Sequence, residues 1–133
     1  MPALPAAKQG DMVQAMDTHI VMVPSPGGPV PTPTPGHPFM GLIDGGLSRN
    51  VTIMGMAAAT VNSTATNQPP HLPIGGPSFQ IPPTNRATIM QGSATVFING
   101  LPAARQGDPA LTCDDLVPAP HGQVIAMGTV LIG

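Results

Sequence analysis

The sequence predicts an all-β domain of short strands, built from three similar units that are separated by long Pro-rich loops. Three observations lead to this prediction: short Val/Ile runs end in glycine, helical periodicity is nearly absent, and one motif is repeated. There are 19 Pro and 16 Gly among 133 residues, and proline interrupts every long helical candidate. Since domains span roughly 100–200 residues, we treat residues 1–133 as one domain.

Three strand signals share the pattern Val-x-Ile-x-Gly or a shortened form of it. They read NVTIMG at Asn50–Gly55, TVFING at Thr95–Gly100 and TVLIG at Thr129–Gly133. A β-branched run that ends in glycine is typical of a strand followed by a tight turn. The one helical candidate is a single turn near Met12–Met16.

The segment that follows each strand signal is also repeated. PAAKQGD at Pro5–Asp11 and PAARQGD at Pro102–Asp108 differ only in the basic residue, and MAAATVN at Met56–Asn62 is a degenerate third copy. In the two intact copies the basic residue and the aspartate are three apart, which predicts an ion pair across the turn. We divide the chain at this frame into units of about 5–49, 50–94 and 95–133. One unit cannot bury its apolar face alone, but three around an axis can.

Charge and cysteine content exclude several classes of protein. Four basic residues and a net charge of −2 are too few positive charges for the basic surface that binds nucleic acid. No apolar run reaches the roughly 18 residues of a transmembrane helix, and no secretory signal is visible at the N-terminus. The single cysteine, Cys113, cannot form an internal disulfide. Because the strand TVLIG ends the sequence, we expect no fused effector domain.

Two Pro-rich insertions separate the units, at Val23–Pro38 and Gln68–Thr84. Such composition is typical of linkers or polyproline segments. Neither insertion flanks a separate domain, so we expect both to be surface loops of one fold, stiffened by their prolines.

These motifs resemble those of the PAAR-repeat family. The resemblance rests on PAAR at Pro102–Arg105 with the QGD after it, on the strand Gly92–Gly100, and on the HG pair at His121–Gly122. PAAR-repeat proteins are tips of contractile injection machines, which include type VI secretion systems and phage-tail-like particles. The resemblance implies a small cone of short strands with pseudo-threefold symmetry.

The resemblance also implies a non-enzymatic function and a set of partners. One tip would cap the blunt end of a trimeric, VgrG-like β-helical spike, sharpen it for membrane puncture and carry effectors. The protein would assemble in the bacterial cytoplasm, leave on the particle and meet the target membrane transiently. The alternative is an adaptor whose Pro-rich loops recruit effector cargo to the spike.

The family fold contains one structural zinc ion, bound by three His and one Cys. Counted from the start of each copy, His19 and His71 occupy nearly equivalent positions, and unit three supplies Cys113 and His121. We therefore expect these four residues to bind zinc and exclude His37. A closed set of four ligands leaves no position for water, which makes the ion structural.

Two enzymatic readings compete with this function. Cys113 and His121 could serve as nucleophile and base, with Asp114 or Asp115 orienting the imidazole. No oxyanion-hole sequence surrounds Cys113, so we favour a metal ligand over a nucleophile, and an inert buried thiol is a further alternative. A small metallohydrolase would need an open zinc site.

Overall fold

The computed structural model describes residues 3–133, and in this part of the chain there are strands and turns but no helix. The prediction of an all-β fold is confirmed. No helix within the described residues could therefore cross a membrane. The strands are β1 (Leu4–Pro5), β2 (Met12–Val23), β3 (Val30–Gly45), β4 (Thr52–Ile53), β5 (Met56–Ala57), β6 (Thr64–Asn67), β7 (Ser78–Phe79), β8 (Arg86–Ile89), β9 (Phe97–Ile98), β10 (Leu101–Pro102), β11 (Pro109–Thr112), β12 (Ala119–Ile125) and β13 (Leu131–Ile132).

Seven strands form one antiparallel sheet that closes on itself. The strand order is β12-β11-β8-β6-β3-β2-β7, and β12 also pairs with β2 through Val13 and Val124. Small and branched side chains fill the interior, so the closed sheet can be narrow. Its buried residues include Val13, Phe39, Ile43, Ala65, Ala87, Ile89, Ala110 and Val124.

Three two-stranded pairs lie together at one end of the closed sheet, and we call them the base. In the pair β4–β5, Ile53 lies opposite Met56, and in β9–β10, Ile98 lies opposite Leu101. The third pair, β1–β13, joins the two ends of the chain. The three Val/Ile strand signals of the sequence are thus the outer strands of three equivalent pairs.

A ring of backbone hydrogen bonds links the three pairs. Ala7 donates to the carbonyl of Ala104 at 2.9 Å, Ala104 donates to Ala59 at 3.0 Å, and Ala59 donates to Ala7 at 3.1 Å. All three alanines are fully buried. This ring gives the base its pseudo-threefold symmetry.

The second copy of the motif lies one residue later than the sequence alignment predicts. Ala57, not Met56, is equivalent to Pro5 and Pro102, and Asn62 has a positive φ of 77° where the intact copies have glycine. In each copy a backbone N–H donates to a side chain three residues later: Lys8 to Asp11, Thr60 to Ser63 and Arg105 to Asp108.

The ion pairs predicted in the intact copies are confirmed. Lys8 Nζ lies 3.1 Å from Asp11, and the Arg105 guanidinium lies 3.0 Å from Asp108. Since both pairs are partly shielded from solvent, they reinforce the turn in each copy.

Two local predictions were wrong. Residues 12–16 belong to β2 rather than to a helical turn, because β2 alternates buried and exposed side chains with period two. Most of the first Pro-rich insertion is strand β3, not a loop. Its prolines lie at exposed positions over a stretch where β2 is the only strand neighbour, and such edges tolerate proline. They are Pro31, Pro33, Pro35 and Pro38.

Candidate metal centre

The period of β2 brings two polar side chains into the interior. Val13, Asp17, His19 and Val21 are all fully buried and lie on the inward face of the strand. Because successive residues of a strand point to opposite faces, the odd-numbered positions share one face. Asp17 and His19 are therefore neighbours inside the closed sheet.

A bulge in β3 turns a third polar residue inward. Two residues of β3, Pro35 and Gly36, lie opposite the single residue Thr18 of β2, and Gly36 has a φ of +87°. The extra residue shifts the alternation, so that odd-numbered residues face the interior from His37 onward. His37 lies opposite Asp17 and is only 1 % exposed.

Four buried residues bring their donor atoms within 4.8 Å of one another: Asp17, His19, His71 and Cys113. His71 Nε2 lies 2.9 Å from an oxygen of Asp17, and Cys113 Sγ lies 3.5 Å from the same oxygen. His19 Nε2 lies 3.8 Å from Cys113 Sγ. We call this group the metal cluster.

Neighbouring polar groups fix the position of the cluster. The backbone N–H of His71 donates to the side-chain oxygen of Asn85 at 2.8 Å, which ties the second Pro-rich segment to the sheet. Thr112, at the end of β11, donates its hydroxyl to Asp17 at 2.5 Å and so orients that carboxylate. The next residue is Cys113, so β11 delivers its thiol directly to the cluster.

His37 lies against the cluster and has one free ring nitrogen. Its ring centroid is 5.4 Å from that of His19 and 5.9 Å from that of His71. Its Nδ1 contacts the carbonyl of Thr34 at 3.0 Å, whereas its Nε2 is buried without a hydrogen-bond partner. A buried nitrogen of this kind is costly unless it has a ligand.

Burial and charge shift three pKa values at the site. Burial, helped by the negative charge of Asp17, raises the pKa of the Cys113 thiol to about 11. Burial also opposes ionisation of Asp17, but hydrogen bonds from His71 and Thr112 outweigh it and lower its pKa. Burial, and then the neighbouring His19, lower the pKa of His37. The apo site therefore holds a protonated thiol beside neutral His37.

The structure brings together three of the four ligands predicted from the sequence. His19, His71 and Cys113 lie in the cluster, whereas the His121 side chain is 55 % exposed and its Nδ1 pairs with Asp114 at 3.2 Å. The reason is the pleat of β12, in which Gly122 faces inward and His121 faces outward. Cys113 therefore has Asp17 and His19 as neighbours rather than His121.

Reasoning from the sequence alone missed Asp17 and excluded His37, which the structure places beside the cluster. Asp17 precedes His19 by two residues, so the period of a strand could have placed both on one face. His37 follows a glycine within alternating prolines, and a bulge at Gly36 was the signal that was available.

The donor set fits a structural metal ion. It offers one sulfur, imidazole nitrogens and a nearby carboxylate in a buried setting, and zinc prefers tetrahedral coordination by nitrogen and sulfur. The unpartnered Nε2 of His37 is the independent sign of such a fit. A metal ion bound by the cluster would cross-link β2, the end of β11 and the segment that holds His71.

Fold and site define a small all-β domain with a pseudo-threefold base and, among residues 3–133, one buried cluster that could hold a metal ion. The family described as PAAR motif matches residues 22–119 and, in a second placement, residues 80–133. A comparison with curated proteins finds no match. The chain belongs to the PAAR motif family, whose members are structural spike-tip proteins.

Proposed function

We propose that this protein is the non-enzymatic tip of a contractile injection spike and caps a trimeric, VgrG-like spike protein with one copy per trimer. The observation that carries the proposal is the base, in which one chain repeats the same strand pair three times around the ring of Ala7, Ala59 and Ala104. A surface with pseudo-threefold symmetry matches a partner with threefold symmetry.

The chemistry of the base supports this partner. Phe97 and Leu131 occupy equivalent places on two of the outer strands and are 58 % and 55 % exposed. Each strand pair also has open edges, which a spike strand can extend by β-augmentation. Apolar side chains beside open edges are unfavourable in water unless a partner covers them.

The role of the metal in this function is structural. We assign zinc to His19, His71 and Cys113, with His37 as the fourth ligand in place of His121 and with Asp17 beside them. The unpartnered nitrogen of His37 and the exposure of His121 support this choice. The ion would stiffen a fold that has only three Phe and neither Trp nor Tyr.

The protein would assemble on the spike in the bacterial cytoplasm and leave with the particle, meeting the target membrane only transiently.

A cargo adaptor remains the second candidate function. It is supported by an apolar cavity of about 280 Å³ that the second Pro-rich segment forms against β3. The cavity is lined by Pro38, Met40, Leu72 and Ile74, among others. Loss of effector secretion with intact particles in the variant Leu72→Asp/Ile74→Asp, which keeps His71, would favour the adaptor.

Binding to the purified trimeric spike of the same injection system tests the tip function. We expect light scattering to give one tip per three spike chains, and Phe97→Asp to weaken binding at least tenfold. Val30→Asp is the matched control, because Val30 is 48 % exposed and pairs with Val23 at the end of the β2–β3 hairpin that is farthest from the base. Equal binding by both variants, or no complex with the wild type, would overturn the proposal.

A further inference from the structure

Two segments without formal charge supply most of the end of the molecule opposite the base. Residues 18–43 and residues 64–85 contain no Asp, Glu, Lys or Arg. The first segment supplies the outer half of the β2–β3 hairpin, and the second supplies the loop that carries β7. Such long charge-free stretches are unusual for a surface in contact with water.

Three segments meet at this end. β2 begins beside the base, where the Ile43 N–H donates to the carbonyl of Asp11, and runs away from it for 12 residues. Its last residues pair with both β3 and β7. The turn after Cys113 joins them, because the Asp115 N–H donates to the carbonyl of Thr18. We call the exposed face of residues 20–33, 72–83 and 114–118 the apical surface.

Large aliphatic side chains cover the apical surface. Leu72, Leu116 and Val117 are between 72 % and 75 % exposed, and Ile81 lines a small cavity together with Leu116. Val30 and Ile74 are also more than 40 % exposed. These residues lie in three separate segments, so the apolar character belongs to the whole end of the molecule.

The only two carboxylates in these segments are turned inward. Asp114 accepts a hydrogen bond from the Thr18 N–H at 2.7 Å, and Asp115 accepts one from the Ile20 N–H at 2.9 Å. Their side chains are 4 % and 8 % exposed. The apical surface therefore presents aliphatic groups and prolines but no formal charge to its surroundings.

We propose that the apical surface has an affinity of its own for lipid and enters the hydrocarbon of a bilayer without applied force. This inference rests on the proposed spike-tip function, to which it adds a chemical step before mechanical puncture. A bilayer is the partner that a charge-free surface fits, because charged side chains are strongly unfavourable in hydrocarbon. Along this half of the hairpin β3 pairs with β2, and Pro31, Pro33 and Pro35 of β3 have no N–H group, so its open edge has fewer unpaired donors to carry into lipid.

The test uses the full chain with neutral phosphatidylcholine vesicles and no spike protein. We expect the wild type to float with the vesicles and Leu72→Lys/Leu116→Lys to bind at least tenfold more weakly. Met127→Lys is the matched control, because Met127 is 75 % exposed beside Lys8 at the base. It should float as the wild type does. Zinc content and thermal unfolding verify that each variant is folded.

Two results would overturn the inference. A folded wild type that stays in the aqueous fraction would mean that the apical surface binds protein instead of lipid. Equal loss of flotation in the apical variant and in Met127→Lys would mean that contact with lipid is non-specific. The spike-binding assay separates the two proposals, because the apical variant should still bind the trimer when the tip function is correct.

Discussion

Ala7 and Ala104 are hydrogen-bonded through their backbones at 2.9 Å, although almost the whole chain separates them in sequence. Both side chains are fully buried. The approach of the three motif copies at the base depends on the methyl side chain at these positions, since a larger group would force the backbones apart. The Ala-Ala pair of the motif is therefore a packing requirement of the ring.

We predict that Ala104→Val destabilises the protein by about 1–3 kcal/mol, because added methyl groups in a closed contact force backbone shifts. Chemical denaturation of the zinc-loaded protein measures the change. Ala94→Val is the control, since Ala94 is exposed in the turn before β9 and has room for the larger side chain. If Ala104→Val leaves the free energy of unfolding unchanged, the ring has room for a larger side chain and the packing argument is wrong.

We predict about one zinc ion per chain in the purified protein, measured by elemental analysis. His37→Ala, His71→Ala and Cys113→Ala should each lose most of the metal and lower the melting temperature, because each removes a donor atom at the cluster. His121→Ala should retain the metal, since its ring lies on the outer face. Retention by His37→Ala together with loss by His121→Ala would refute our choice of ligands.

Zinc affinity should rise with pH. The pKa of the Cys113 thiol is raised to about 11, so the thiol carries its proton at neutral pH and must release it to bind the ion. His37 contributes little to this dependence, because its lowered pKa leaves the ring neutral already. We expect affinity to increase about tenfold per pH unit near neutrality. Competition with a zinc chelator of known pH dependence measures this slope, and a flat profile would contradict it.

Asp17→Asn should make the Cys113 thiol of the metal-free protein more reactive. After burial, the negative charge of Asp17 is the next cause of the raised thiol pKa, so its removal lowers that pKa. A larger thiolate fraction then reacts faster with iodoacetamide. Thr112→Val is the comparison, because it removes the hydroxyl bonded to Asp17 but keeps the charge. Faster alkylation by Thr112→Val than by Asp17→Asn would assign the effect to loosened packing.

Gly36→Ala should weaken both the fold and the metal site. A side chain at a φ of +87° is strained by about 1–2 kcal/mol, and the bulge at this residue is what turns His37 inward. Gly27→Ala is the matched control, because Gly27 has open space and lacks a positive φ. Stability and zinc content should fall together in the first variant and stay unchanged in the second.

The short strands of the base could be predicted because each depends on residues that are neighbours in the sequence. Thr52–Ile53, Phe97–Ile98 and Leu131–Ile132 lie where the Val/Ile runs indicate, and Met54–Gly55 and Asn99–Gly100 make the turns after the first two. The register of the second copy could not be fixed, because three successive alanines align equally well in two ways. Asn62 takes the position of the glycine with positive φ, and Ser63 takes the position of the aspartate that accepts the backbone hydrogen bond. Only the backbone contacts of the folded protein reveal this equivalence.

Only part of the metal cluster could be predicted from the sequence, for a different reason. His19 and His71 follow equivalent copies of the motif, so sequence spacing placed them together. Which of His37 and His121 is buried depends on the face of the strand that each occupies, and a single bulged residue at Gly36 turns His37 inward. Alternating prolines concealed this strand, because proline usually indicates a loop.

The pairing of β1 with β13 has a consequence for synthesis. Leu4 and Pro5 are synthesised long before their strand partners Ile132 and Leu131. The base cannot close on a nascent chain that lacks its last strand, and joining such distant segments is a slow, entropically costly step. A truncated translation product would lack one third of the base, so docking onto a spike would discriminate against incomplete chains.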